Sequence, residues 1–273
     1  MPRDFTISSA TSRGDESAIE LRDVGRTFGA VRALYSIDLA VRPGEIVALV
    51  GDNGAGKSTL MNIMCGAEPP DEGEVLVAGE LVQDLAHAQK LGVGMVYQDL
   101  ALAPHLSVVE NMFLGREENL AGWRGLLRWI DRRRMRNQAK QSIADLGIST
   151  LRNVDLPVWR LSGGQRQVAA VARAMMWTRT AVLLDEPTAA LGPKQVGMVL
   201  DAIRTAASRG IAVVIISHDI PHVLKLADRV VVLRRGTIVA ELDPTGLSVT
   251  QVVAEMIGDE ATSDSPESES PHV

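Results

Sequence analysis

The sequence predicts an α/β fold with a mostly parallel sheet, an antiparallel β part at its N-terminal end and an inserted helical subdomain. Three observations carry this prediction. A glycine loop, Gly51-Asp52-Asn53-Gly54-Ala55-Gly56-Lys57-Ser58, stands between an apolar run and a helix-like segment. The run over 211–217 is nearly all apolar, as a strand buried on both faces of a parallel sheet requires. From residue 99 to about 164 no buried-strand run occurs.

The elements follow in order. Strand-like runs cover 19–24, 36–41 and 45–50, the last reached through the Pro43-Gly44 turn and leading into the glycine loop. A helix over 57–65 closes at Gly66. Residues 69–73 read as a loop, 74–77 as a short strand, 84–91 as a helix and 93–97 as an apolar strand. Within the helical insertion, Ser107-Val108-Val109-Glu110 is a capping box. Met135, Ala139, Ile143 and Leu146 share one helical face, which Gly147 ends. The α/β pattern then resumes. A helix follows Ser162-Gly163-Gly164-Gln165, and 181–184 is a buried strand. Val196, Leu200, Ile203 and Ala207 line the next helix, with Pro193 in its first turn and Gly210 past its end. Runs at 230–233 and 237–241 flank Arg235-Gly236 as a hairpin, and the capping box Ser248-Val249-Thr250-Gln251 opens a last helix ending near Gly258.

At 273 residues with 46% apolar content, the chain suffices for one domain carrying an insertion. Of the net charge of −6, five negative charges (Asp259, Glu260, Asp264, Glu267, Glu269) lie after Gly258. The body is therefore near neutral and lacks the positive excess that holds nucleic acid. The single cysteine, Cys65, excludes an internal disulfide and reads as a small buried hydrophobe. No apolar run reaches membrane-spanning length. The polar segment 1–17 and the Ser/Glu/Asp/Pro-rich tail 259–273 read as disordered, leaving 18–258 as the folded domain.

The glycine loop has the chemistry of a triphosphate site. Backbone N–H groups and a helix N-terminus neutralise a strongly anionic ligand. Gly51, Gly54 and Gly56 allow a close backbone approach, Lys57 reaches the outer phosphates and the Ser58 hydroxyl ligates Mg²⁺. The binding set runs over Gly51, Asn53, Gly54, Ala55, Gly56, Lys57, Ser58 and Thr59. Asp185 ends a buried strand, where ligands gather in α/β sheets, and is placed to hold Mg²⁺. Glu186, one residue on, points elsewhere and can polarise an attacking water. Ser162, Gly163, Gly164 and Gln165 before a helix make a second anion site.

In this order, the glycine loop, Leu161-Ser162-Gly163-Gly164-Gln165, Val182-Leu183-Leu184-Asp185-Glu186 and His218 resemble the ATP-binding cassette (ABC) ATPases, over about 19–258. That resemblance implies a P-loop NTPase core with ATP and Mg²⁺ as cofactors. It implies that Gln98 senses Mg²⁺ and the water while linking the site to the helical subdomain. It implies that His218 contacts the γ-phosphate and that Phe28 stacks on adenine. It also implies that two copies stack head to tail, so that each Ser162–Gln165 element closes on the other's ATP. One departure stands out. Where the family continues Pro-Thr-Ser-Ala-Leu-Asp, this chain has Pro187-Thr188-Ala189-Ala190-Leu191-Gly192, which puts the aspartate's contact with the partner subunit in doubt.

The wording narrows the branch. Gly51-Asp52-Asn53-Gly54, Val96-Tyr97-Gln98-Asp99-Leu100-Ala101-Leu102 and Glu110-Asn111-Met112-Phe113-Leu114-Gly115-Arg116-Glu117 are similar to bacterial monosaccharide importers, above all the single-cassette fructose- or ribose-type subunits. The implied partners are a second ATP-binding subunit, separate transmembrane permease subunits that dock after Gln98 and, indirectly, a periplasmic sugar-binding protein. The implied place is peripheral, at the cytoplasmic face of the inner membrane. Import of another small solute, a soluble non-transport ABC protein and a small-molecule kinase remain as alternatives. The kinase reading leaves 161–165 and His218 unexplained.

Overall fold

The computed structural model describes residues 17–120, 129–189 and 191–258. Of the segments read as disordered, 1–17 and 259–273, all but Ser17 lie outside the described residues, as does Ala190. Two sheets and a set of helices make up the described chain. The antiparallel sheet contains β1 (Ile19–Phe28), β2 (Val31–Val41), β4 (Glu72–Val77) and β5 (Glu80–Leu81), in the order β2-β1-β4-β5. The larger sheet contains β3 (Ile46–Val50), β6 (Val93–Val96), β7 (Ala181–Asp185), β8 (Ala212–Ile216), β9 (Arg229–Arg234) and β10 (Thr237–Leu242), in the order β10-β9-β3-β8-β7-β6. Every pairing in it is parallel except the β9–β10 hairpin. The α/β fold read from the sequence is therefore the fold found.

The central strands show why their sequences look unbroken. In β3, Ile46, Ala48 and Val50 face one core while Val47 and Leu49 face the other. In β7, Val182 and Leu184 divide from Ala181 and Leu183 in the same way. Each face is covered, so both sets must be apolar. The core shared with the antiparallel sheet also takes in Leu60, Met61, Ile63 and Met64 from α1 (Lys57–Met64). The other core is covered by α3 (Val108–Met112), α4 (Arg132–Asp145), α5 (Gly163–Trp177), α6 (Pro193–Ser208) and α7 (Ile220–Leu226). The remaining helices are α2 (Leu85–Lys90), capped by Asp84, and α8 (Val249–Ile257).

Serine side chains open α3, α5 and α8 with the same reciprocal capping box: Ser107 with Glu110, Ser162 with Gln165 and Ser248 with Gln251. Between β6 and β7 the described residues hold helices and two isolated bridges. Several elements differ from the sequence reading, and β1 itself runs on to Phe28 rather than ending at residue 24. β2 begins five residues earlier, at Val31 rather than residue 36, because Val31, Arg32 and Leu34 pair with Phe28, Thr27 and Arg26 of β1. β4 begins at Glu72, inside the stretch read as a loop, because Glu72 pairs with Gly25. The two-residue β5 exists only through its pairing with β4. Among the described residues no helix is long and apolar enough to cross a membrane.

Candidate functional site

Register brings the site together. β6 and β7 run in parallel with Val96 opposite Leu184, so Gln98 and Glu186, each two residues further, leave the sheet at the same level. β8 pairs Ile216 with both Asp185 and Leu49. Beyond these pairs the chain delivers Glu186, His218 and the glycine loop to one edge, the carboxyl end of the parallel strands, where such sheets bind ligands.

The glycine loop is shaped by close approaches. A Cβ on Gly51 would lie 2.1 Å from the Leu233 carbonyl oxygen of β9. One on Gly56, whose φ is +105°, would lie 2.8 Å from the Ala33 carbonyl oxygen and from Leu34. Gly236 N–H donates to Ala55 O at 3.0 Å and fixes the loop to the β9–β10 turn. Lys57 is 8% exposed, and its Nζ donates to the loop carbonyls Gly51 O (2.7 Å) and Asp52 O (2.8 Å). Burial lowers its pKa against the pull of Glu186, Asp185 and Asp52. Asp185 is equally buried, and its pKa is raised by burial, with a partial offset from the Ser58 hydroxyl, which donates to Oδ2 at 3.3 Å. Desolvation disfavours both charges, and ligand charges of opposite sign would relieve both penalties. An ammonium, a hydroxyl and a carboxylate beside a loop that only glycine can build fit a phosphate with an oxygen-seeking divalent cation.

Glu186 sits at φ +49°, left-handed for a non-glycine residue. Its N–H is fixed by Ile216 O at 3.0 Å and its carbonyl accepts from Gln167 Nε2 at 3.4 Å. Its carboxylate turns away from Asp185 and meets His218 Nε2 at 2.8 Å. The two consecutive carboxylates thus have separate partners. A cavity of about 440 Å³ extends from Glu186 and His218 along α6, walled by Thr188, Pro193, Leu200 and His222 among others.

The other sequence candidates make none of these contacts among the described residues. Phe28 is 45% exposed at the end of β1, with the Arg26 guanidinium 4.9 Å from its ring centre. Gln98 is exposed just beyond β6. Ser162 caps α5, Gly163 and Gly164 form its first turn, and Gln165 Nε2 donates to Thr150 O at 3.2 Å. Asn53 and Gly54 are exposed at the loop tip, and Thr59 is half-buried in α1. Gly192 caps α6 without a side chain to do so.

Sequence reasoning missed Gln167, a 7% exposed amide that holds the Glu186 carbonyl. It directly follows the polar Gln165 and Arg166, so nothing in the local pattern marked it for burial. Sequence reasoning also missed Ala33 and Leu233, whose carbonyls make the loop glycines necessary. No local pattern marks a backbone oxygen for that task.

Comparison with known proteins agrees with this geometry. The ABC transporter family model matches residues 34–189. The chain is 42% identical over 246 residues to the fructose import ATP-binding protein FrcA of Rhizobium meliloti, covering 89% of this chain and 95% of that protein. It is 39% identical to the ribose import ATP-binding protein RbsA 3 of Rubrobacter xylanophilus over 90% of this chain, but it spans only 48% of that relative's length. A dimeric ATP-binding cassette, solved in a post-hydrolysis state bound to ADP and Pi, superposes with a TM-score of 0.71 at 26% identity, covering 84% of this chain and 100% of that one. On this fold, this site and these likenesses, the chain belongs to the ATP-binding cassette family of ABC transporters.

Proposed function

We propose that this chain is the ATP-hydrolysing subunit of an importer that takes up a monosaccharide through separate permease subunits. The observation that carries the ATPase reading is the pair of separated contacts at one sheet edge, Ser58 with Asp185 and Glu186 with His218. The fructose and ribose import relatives support the substrate class. MgATP, when bound, supplies the phosphoanhydride bond whose cleavage drives transport.

The chain's own residues divide the work. Backbone N–H groups of 51–58, with Gly51, Asn53, Gly54, Ala55, Gly56 and Thr59 in the cradle, hold the phosphates. Lys57 turns its ammonium from the loop carbonyls to the outer phosphates. Ser58, Asp185 and Gln98 provide oxygen ligands for Mg²⁺. The Glu186 carboxylate takes the proton of the attacking water, and His218 Nε2, already 2.8 Å away, holds that carboxylate and reaches the γ-phosphate. Phe28 stacks on adenine.

Ser162, Gly163, Gly164 and Gln165 have no partner from the loop cluster within one chain. In a head-to-tail pair they close on the other copy's ATP, and that a similar cassette forms a dimer supports the pairing of two copies. The assembly sits peripherally at the cytoplasmic face of the inner membrane, served by a periplasmic sugar-binding protein and using no nucleic acid.

Radiolabelled uptake across a solute panel in a deletion strain tests the proposal. Loss of one fructose- or ribose-like sugar, with amino-acid and metal uptake normal, is the expected result. A defect confined to amino acids, metals or lipids refutes sugar import and leaves the ATPase reading standing.

A further inference from the structure

One cation in the helical region lies outside the site just described. Arg173, on the third turn of α5, is half-buried, and among the described residues no carboxylate reaches it. Its guanidinium instead donates to two consecutive carbonyls, Leu100 O at 3.1 Å from Nη2 and Ala101 O at 2.5 Å from Nη1. Burial lowers its pKa, with the Tyr97 phenol opposing. A partly desolvated charge held only by backbone oxygens is costly unless the geometry is kept. The segment it grips begins two residues after Gln98. Ala101 there has φ +48°, a left-handed conformation that an alanine does not favour. That backbone shape presents both carbonyls to one guanidinium.

Further along, the same segment is held by Asn111, which is 2% exposed. Its side chain accepts from Ala103 N and donates to Ala103 O, Leu106 O and Ser107 O. One helical turn past Arg173, on the same face of α5, Trp177 Nε1 donates to Met112 O at 2.7 Å and its ring meets Phe113 edge-on at 5.4 Å. The segment 100–113 is thus fastened to α5 at two points, Arg173 and Trp177. The other end of α5 begins at Ser162, about 16 Å away along the helix axis.

We infer that Arg173 is a positioning residue that locks the backbone following Gln98 to the helix begun by Ser162, so that the two site elements move as one body. This rests on the proposed function, which makes both elements part of an ATPase site. The chain passes from the parallel sheet into the helical region through 98–101 and returns to the sheet through α5. Arg173 pins these two crossings to each other. Without the pin, Ser162 and Gln98 can still be formed locally, but their relative placement is left to the flexibility of both connections.

The test uses the full chain with Arg173→Met and Arg173→Lys. Lysine keeps the charge and loses the two-pronged donation. In steady-state ATP hydrolysis, kcat of Arg173→Met should fall at least about tenfold, since both hydrogen bonds of a charged donor are lost. KM for ATP should stay within about twofold, since the binding loop is untouched. Arg173→Lys should recover part of kcat. Hydrogen exchange supplies the reading that a purely structural role would not move. In the wild type, ATP should slow exchange at 99–106 and at 163–168 together, and in the variants this parallel response should be lost. If the methionine variant does not fold, the lysine variant carries both measurements. A folded variant with wild-type kcat, a matched change in kcat and KM, or retained parallel protection overturns the inference. A wild-type chain without ATPase activity would overturn the proposed function and this inference with it.

Discussion

Alanine substitutions at Gly51, Gly54 and Gly56 should have unequal effects, although all three occupy one motif. Gly54 has φ +83°, and a Cβ there would meet nothing within 4 Å. Its alanine variant therefore pays only for the left-handed backbone, about 1–2 kcal/mol. Part of that is offset, by up to about 1 kcal/mol, because alanine restricts the unfolded chain. The net loss is about 1 kcal/mol, or roughly 2–4 °C in Tm for a domain of this size. Gly56 bears the same backbone term with φ +105°, and its Cβ would press at 2.8 Å on both the Ala33 carbonyl oxygen and Leu34. Overpacking of this kind adds about 1–3 kcal/mol, for a total near 2–4 kcal/mol. Gly51 is worse, since the added atom would lie 2.1 Å from the Leu233 oxygen of β9, a strand locked between β3 and β10. The expected order of damage is Gly51, then Gly56, then Gly54. Denaturant midpoints of the three variants without nucleotide give the order directly. If Gly54→Ala proved as destabilising as Gly56→Ala, backbone angle alone would set the requirement, and the close approach of Ala33 would be irrelevant.

Three further outcomes are expected. Glu186→Gln should keep ATP binding and lower turnover by about 10²–10⁴ as the proton acceptor is lost, and near-normal steady-state ATPase would remove Glu186 from that role. Lys57→Ala should weaken nucleotide binding itself, measured by titration with a fluorescent ATP analogue. Unchanged affinity would show that the loop's backbone suffices. Glu110 has its pKa lowered from 4.5, first by the Ser107 N–H and then by the Ser107 hydroxyl. A depressed carboxylate stabilises above its unfolded value and loses that contribution as pH falls through the folded one. The stability advantage of wild type over Glu110→Gln should therefore be full at pH 7 and vanish as pH drops below 4.5. An advantage that persists at pH 2 would contradict the capping account.

What the sequence determined by itself was whatever depends on near neighbours or on one-dimensional period. Apolar runs at 45–50, 181–184 and 211–217 announced strands, and in the fold their alternate side chains meet different cores. Ser107 and Ser248 announced helix starts, because a cap and its partner lie three residues apart. Asp185 and Glu186 were legible as carboxylates at a strand end. Their separate partners were not, since Ser58 is 127 residues from Asp185 and His218 lies on the far side of another helix and strand. Strands buried on both faces resemble one another, so their composition does not encode the order β10-β9-β3-β8-β7-β6 that sets those meetings. The tertiary structure alone decided that β2 starts at Val31, that the Leu233 and Ala33 oxygens close over the loop glycines, and that Arg173 grips Leu100 and Ala101 across more than seventy residues. Each of these contacts has a backbone atom on at least one side, which carries no side-chain signal, and only the packed fold brings the two sides within reach.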